Sequence, residues 1–267
     1  MNKLKKLIKA IFLLLKKPTL INLIIYSDYR WEQYVNKKHK KTQLSTVEIE
    51  DLIPEFNITL NSFSFLGGGS IPTDIMLLKG IAQQFEECKY FEIGTWRGES
   101  VINVAETAKT CYTLNLSSDE IIDLGLKKEY ADLHGFFSKN KKNIKHLYGN
   151  SMNFNFDGLN KKFDLIFIDG NHKYEYVKND TEKVFENLIH ENSIVVWHDY
   201  AYTPEYPRAE VLAGILDGVP KHLHNNLHHV SNTMCAIFTN RNFDSNAVEF
   251  PVKPLKTFKL QANLVKL

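Results

Sequence analysis

Three short stretches of the chain end apolar runs in residues that can do chemistry. FIDGNH, residues 167–172, puts Asp169 and His172 beyond one run, and VVWHDY, residues 195–200, puts His198 and Asp199 beyond another. Carboxylates are acceptors and hard-cation ligands, and an imidazole can take a proton as general base. KYFEIGTWRGES, residues 89–100, ends its apolar run in Glu92 and then spends glycine at Gly94 and Gly98. A glycine directly after a strand permits a tight turn and lets backbone approach a ligand, and a second lets the next helix start close by. Plainer roles fit some of these residues: Asp169 as the cap of a helix beginning near Lys173, His172 in a solvated loop, Glu92 as a surface acid.

Positioning them requires a sheet. From Lys89 onward, short apolar runs alternate with amphipathic segments. YFEI, CYTLN, IKHLY, FDLIFID and SIVVWH read as strands, with helices over ESVINVAETA, SSDEIIDLGL, YEYVKNDTEKVFENLIH and RAEVLAGILDG. Near-continuous apolar strands separated by helices predict a parallel sheet covered on both faces. LHHV and TMCAIFTN predict a closing antiparallel hairpin, making seven strands in a doubly wound, Rossmann-like α/β fold. IPTDIMLLKGIAQQFEE ahead of the first strand reads as a helix, with Thr73 or Ser70 as cap. The predicted organisation is a basic arm and irregular segment over 1–66, the catalytic domain over 67–240 and a tail over 241–267. In such a fold, ligands sit beyond the carboxyl ends of the strands, where all three stretches end.

The glycine spacing excludes one common ligand. A pyrophosphate-binding turn reads G-x-G-x-x-G, whereas here Trp96 and Arg97 stand where backbone must approach the phosphates, and Glu92 adds a negative charge. The pattern E-x-G-x-x-x-G in FEIGTWRGES instead resembles the first motif of class I S-adenosylmethionine-dependent methyltransferases. It is most similar to the branch of small-molecule O-methyltransferases of the catechol and caffeoyl-CoA types, and the resemblance continues through residues 163–200. It implies that Glu92, Gly94, Thr95 and Gly98 line the methionine part of S-adenosylmethionine, with Asp169 nearby. Asn115 takes the place of the acid that bonds the ribose hydroxyls, and Asn150, followed by Ser151, that of the acid near the adenine. An amide can bond hydroxyls, but without charge assistance. Turn chemistry alone also accounts for both asparagines. In metal-dependent relatives the acids matching Asp169 and Asp199 hold a divalent cation such as Mg²⁺, which lowers the acceptor hydroxyl's pKa. His198 or His172 is the alternative device, taking the proton directly. Tyr200, Tyr202 and Tyr206 could then cover the acceptor, or serve in packing. A second histidine group, His222, His224, His228 and His229, lacks metal-site spacing.

Composition narrows the remainder. Cys88, Cys111 and Cys235 are few, odd in number and without metal-type spacing, which argues for a reducing, cytoplasmic setting. The net charge is +2, yet residues 1–41 carry +9 and the rest −7. Along residues 3–17, Leu4, Leu7, Ile8, Ile11, Phe12, Leu14 and Leu15 fall on one helical face and the lysines on the other. That pattern suits a helix lying on an anionic membrane surface at the inner face of the membrane, or one packed on the body or on a second subunit. The run is too short to span a bilayer. Lysines interleaved with aliphatics rather than aromatics argue against nucleic acid. The expected partner is a small hydroxylated or glycan-type acceptor, and oligomeric state is open. A hydroxylase-like metal enzyme on the same fold and a non-catalytic nucleoside-binding module are the competing functions.

Overall fold

A computed structural model describes residues 2–25 and 27–266. Ten strands are present among them: β1 (Ser45–Val47), β2 (Lys89–Ile93), β3 (Thr110–Asn115), β4 (Ile144–Tyr148), β5 (Leu165–Ile168), β6 (Ile194–Trp197), β7 (Ala201–Thr203), β8 (Tyr206–Pro207), β9 (Leu227–Val230) and β10 (Ala236–Phe238). Eight form one sheet in the order β1-β9-β10-β6-β5-β2-β3-β4, while β7 and β8 make a separate hairpin. The pairs among β2 to β6 are parallel, and β10 enters antiparallel between β6 and β9. Chain order runs outward from β2 in one direction through β3 and β4, then restarts at β5 on β2's other side. The β2/β5 junction is therefore the point where strand order reverses.

The sheet has eight strands, not the seven expected. The additional one, β1, pairs parallel with β9. It is three residues long, too short to show period-two patterning within a polar stretch. Burial explains it: Leu44, just before the strand, and Val47, its last residue, are fully buried and belong to the apolar layers on opposite faces.

Continuous apolar runs follow from coverage of both faces. Every residue of β5 and β6 is buried. Alternate side chains go to opposite layers. Phe91, Ile93, Ile166, Ile168, Val195 and Trp197 pack with the helices Tyr174–Asn187 and Ala209–Gly218. Tyr90, Leu165, Phe167, Ile194 and Val196 pack with the helices Pro72–Ala82 and Glu99–Val104. Gly214 lets the first pair of helices meet, since a Cβ there would lie 2.7 Å from that of Val177.

The N-terminal segment is tied on by charge. Asp217 accepts hydrogen bonds from Tyr34 and Tyr174, and from His39 Nε2 at 2.8 Å, and Lys38 Nζ lies 2.7 Å away. Burial opposes its ionisation, but those four donors outweigh it and hold the carboxyl down at about 2. The tail returns as well: Asn246 bridges to Thr46, Phe258 packs on Phe56, and Lys256 bonds Glu48 and Glu50. The helix Lys3–Lys16 differs, with no buried residue. No helix among the described residues is long and apolar enough to cross a membrane.

Asp217→Asn should cost about 1–3 kcal/mol, because an amide cannot accept from all four donors. Thermal unfolding near neutrality measures it as a fall of several degrees. A depressed carboxyl stabilises above its unfolded pKa and loses that contribution as pH falls. The difference between the two proteins should therefore shrink between about pH 4 and pH 2.

Candidate active site

β5 and β6 run in register, with Ile168 opposite Trp197. The next residue on each strand is therefore also paired in space, and Asp169 Oδ1 lies 3.0 Å from His198 Nδ1. The other ring nitrogen, Nε2, lies 3.1 Å from Asp74 Oδ2. Asp74 is fully buried in the first turn of the helix Pro72–Ala82 and is itself fixed: Oδ2 accepts from the Ile71 amide at 2.9 Å and Oδ1 from the Met234 amide at 2.8 Å. A carboxylate on each side requires a donor at each ring nitrogen, so His198 is an imidazolium. Desolvation alone would lower its pKa, but the charge of Asp169 and the bonds to Asp169, Asp199 and Asp74 hold it well above the usual histidine value.

Asp199 has φ 56°, the left-handed region that side chains other than glycine seldom adopt, at a cost of roughly 1–3 kcal/mol. That turn brings its carboxylate 3.6 Å from His198 Nδ1, 3.6 Å from His172 Nδ1 and 3.7 Å from Arg208 Nη1. Burial pushes Asp199 up, but His198, His172 and Arg208 more than offset it and keep it ionised. His172 is 46% exposed at its side chain. Burial, followed by the nearby Arg208 charge, pulls its pKa below the ordinary histidine value, so it is neutral at pH 7. Three carboxylates thus face two cations, leaving a negative site. Asp169, His198 and Asp199 have ligand-type atoms all within 4.8 Å of one another, and with both His198 nitrogens protonated the two carboxylates are the groups left for a divalent cation. A chamber of about 10 Å³ lies beside them, lined by Asp169, His172, His198 and Asp199. It has room for about one water. Larger cavities, about 600 and 430 Å³, lie away from these acids.

The turn after β2 comes against this cluster. Gly94 has φ 89°, and a Cβ there would lie 2.0 Å from the Asp169 carbonyl oxygen. Gly98, φ 81°, would collide with Ser138 Oγ at 2.4 Å. Both glycines are therefore required by close approach as well as by backbone angle. Glu92 is fully buried, and one carboxyl oxygen accepts from Tyr90 OH at 2.7 Å and Ser100 Oγ at 2.5 Å. Burial pushes its pKa up to about 8. Its other oxygen has no partner, and neither do Thr95 Oγ1, Trp96 Nε1 and Thr73 Oγ1, all buried. Native interiors rarely leave such atoms unsatisfied.

Beyond β3, Asn115 donates to His134 Nδ1 and to the Leu116 carbonyl, both at 2.9 Å, and its Oδ1 accepts from the Thr95 amide at 3.5 Å, which leaves one lone pair of that oxygen for a ligand. Asn150 accepts from the Met152 amide at 3.0 Å, a local turn, with Ser151 next to it. The β4 and β3 ends are joined by the Gly149 amide bonding the Asn115 carbonyl.

Several expectations are corrected. Asp169 does not cap the following helix, whose N-cap is Lys173 with no side-chain bond. Tyr200 does not cover a mouth: it is buried, with its hydroxyl accepting from the Leu44 amide. Tyr202 and Tyr206 are exposed on the β7–β8 hairpin. His224, His228 and His229 are occupied separately, by the Val219 carbonyl, Ser45 and Thr46. Sequence reasoning missed Asp74, His134 and Arg208. Asp74 looks like any acid in a first helical turn, and its role depends on a strand 124 residues away.

Residues 91–200 match the family model of a methyltransferase domain. An uncharacterised protein of Acanthamoeba polyphaga mimivirus is 25% identical over 130 residues, covering 46% of this chain. The match spans 58% of the length of that relative. Among solved structures, the chain is similar to an S-adenosylhomocysteine-bound methyltransferase of Podospora anserina, at 19% identity and TM-score 0.45, covering 65% of this chain and 80% of that one. It is also similar to an O-methyltransferase of Bacillus cereus in complex with S-adenosylhomocysteine, at 15% identity and TM-score 0.42, covering 80% and 100%. The segment that matches a methyltransferase domain runs from Phe91 within β2 to Tyr200 beyond β6, and it holds both glycines, Asp169, His172, His198 and Asp199.

Proposed function

We propose that the protein transfers a methyl group from S-adenosylmethionine to the hydroxyl of a small acceptor. The observation that carries this reading is the set of partnerless buried polar atoms on Glu92, Thr95 and Trp96, grouped around the Gly94 turn and pressed against the Asp169 cluster at the strand-order reversal. Those atoms fit the cofactor's needs. Glu92, Gly94, Thr95 and Gly98 would hold the methionine part, Asn115 the ribose, Asn150 and Ser151 the adenine side, with Asp169 close to the reacting carbon. When bound, the cofactor supplies a methyl carbon on sulfonium sulfur: the carbon–sulfur bond breaks with its electron pair going to sulfur as a carbon–oxygen bond forms.

The chain must position the acceptor and remove its proton. His172 Nε2 is the group free to accept that proton, because His198 already carries two. The Asp199 carboxylate beside His172 Nδ1 favours the imidazolium that results. His198 keeps Asp169 and Asp74 from repelling one another and fixes the cluster. The Asp169 and Asp199 carboxylates would also suit a divalent cation such as Mg²⁺, which bound there would lower the hydroxyl's pKa. Net negative charge around the site favours either a cation or a sulfonium.

Three outcomes follow. Isothermal titration with S-adenosylhomocysteine should give one site per chain, and Gly94→Ala should weaken it at least about 10-fold, since the new Cβ displaces the Asp169 backbone. No heat from the wild-type protein at millimolar ligand would overturn the reading. His172→Ala should lower S-adenosylhomocysteine release across a panel of phenolic and sugar hydroxyl acceptors by about 10²–10⁴ while leaving cofactor affinity within about 2-fold. Glu92 should make the cofactor-free fold pH-sensitive in a particular direction. A carboxyl whose folded pKa is raised to about 8 stabilises fully below its unfolded pKa and loses that contribution as pH rises through the folded value. Thermal unfolding should accordingly fall between about pH 5 and pH 8 by several degrees more in the wild type than in Glu92→Gln.

A further inference from the structure

The arm leaves an apolar surface that nothing among the described residues covers. Leu4, Leu7, Ile8, Ile11 and Phe12 are each at least 50% exposed. Leu23, Ile24 and Ile25, in the short helix Asn22–Ile25, are exposed as well. Lys3, Lys5, Lys6, Lys9, Lys16 and Lys17 accompany it.

The arm joins the body at a particular place. The Asp28 carboxylate accepts from the Ala209 amide at 2.5 Å and the Glu210 amide at 2.8 Å, capping the helix Ala209–Gly218. The residue before that helix, Arg208, reaches Asp199 and lies over the exposed Tyr202 ring at 5.3 Å. The root of the arm is therefore one residue removed from a side chain that touches the Asp199–His172 pair. Three steps of chain separate residues 25 and 28, a reach of at most about 11 Å. Whatever surface takes up Ile24 and Ile25 must come within that distance of the root.

We infer that the arm holds the acceptor side of the site against an anionic bilayer, and that the acceptor is an amphipathic, bilayer-borne molecule presenting its hydroxyl at headgroup level. This rests on the methyl-transfer reading and adds the substrate class to it. Charge selects the occupant. Apolar residues flanked by six lysines complement an anionic headgroup layer, whereas a second copy of the arm would bring like charges together. Beyond residue 41 the chain carries −7, so the body is repelled by the surface that attracts the arm, which favours approach by the root edge. The methyl carbon passes from sulfur to the lipid-borne oxygen, and the hydroxyl proton goes to His172.

The test uses the full chain with phosphatidylcholine vesicles, with and without about a third phosphatidylglycerol. Wild-type protein should pellet with the anionic vesicles only. Pelleting should fall about 10-fold between about 0.1 and 0.5 M salt and be lost in Leu7→Glu/Ile11→Glu, whose S-adenosylhomocysteine affinity should be unchanged. Given radiolabelled methyl donor and native-cell membranes, the wild type should label the chloroform–methanol extract, and the double variant at least about 10-fold less. Equal binding to neutral vesicles, no pelleting, label confined to the aqueous phase, or an arm-dependent dimer by light scattering would overturn the inference. Vesicle binding without any S-adenosylhomocysteine binding would instead overturn the methyl-transfer reading, and the acceptor assignment with it.

Discussion

The site depends on one imidazolium held between two carboxylates. His198 donates to Asp169 at 3.0 Å and to Asp74 at 3.1 Å, linking the end of β5, the end of β6 and the helix Pro72–Ala82. Without it, the carboxylates would face each other in a region largely shielded from water, where like charges cost most. With it, Asp74 also fixes the Met234 amide near the start of β10, so one proton-rich ring ties the antiparallel part of the sheet to the parallel part. The same bonds remove His198 from consideration as a base. In the methyl-transfer reading proposed here that role falls to His172, the neutral histidine of the cluster.

The second constraint is steric. β2 and β5 are neighbours only because strand order reverses between them, and the Gly94 turn approaches the Asp169 backbone more closely than any side chain permits. A ligand resting on that turn is necessarily beside the acids. Carboxyl burial at Glu92 and the left-handed backbone at Asp199 are both costs to stability, and both occur here rather than in the surrounding core. Such costs at one corner of the sheet are what a binding site there would explain.

Much of this was legible from residue order. The continuous apolar runs of β5 and β6 gave a covered parallel sheet, and the positions just beyond them gave Asp169, His198 and Asp199. Glycine spacing located the β2 turn, because only close backbone approach explains two glycines so near a strand end. What stayed hidden has a common cause. β1 is too short to carry a pattern, and its burial comes from partners nearly two hundred residues away. Asp74 reads as a helix-start acid, since its local bond to the Ile71 amide is an ordinary cap. Tyr200 was read as a loop aromatic, whereas tertiary packing buries it under the segment leading into β1. Side-chain protonation also escapes sequence: which histidine is charged depends on how many carboxylates surround it, and that is a property of the assembled cluster.

The most direct test of the account is a crystal structure of the protein with S-adenosylhomocysteine. The sulfur should lie over the Gly94 turn facing Asp169, with Thr95 and Trp96 bonded to the ligand, the Asn115 amide at the ribose, and the His198 bridge between Asp74 and Asp169 intact. Ligand ordered instead in the groove of about 600 Å³ lined by Lys38, His39 and Asp217 would contradict it. So would a β2 turn that stays bare at saturating ligand.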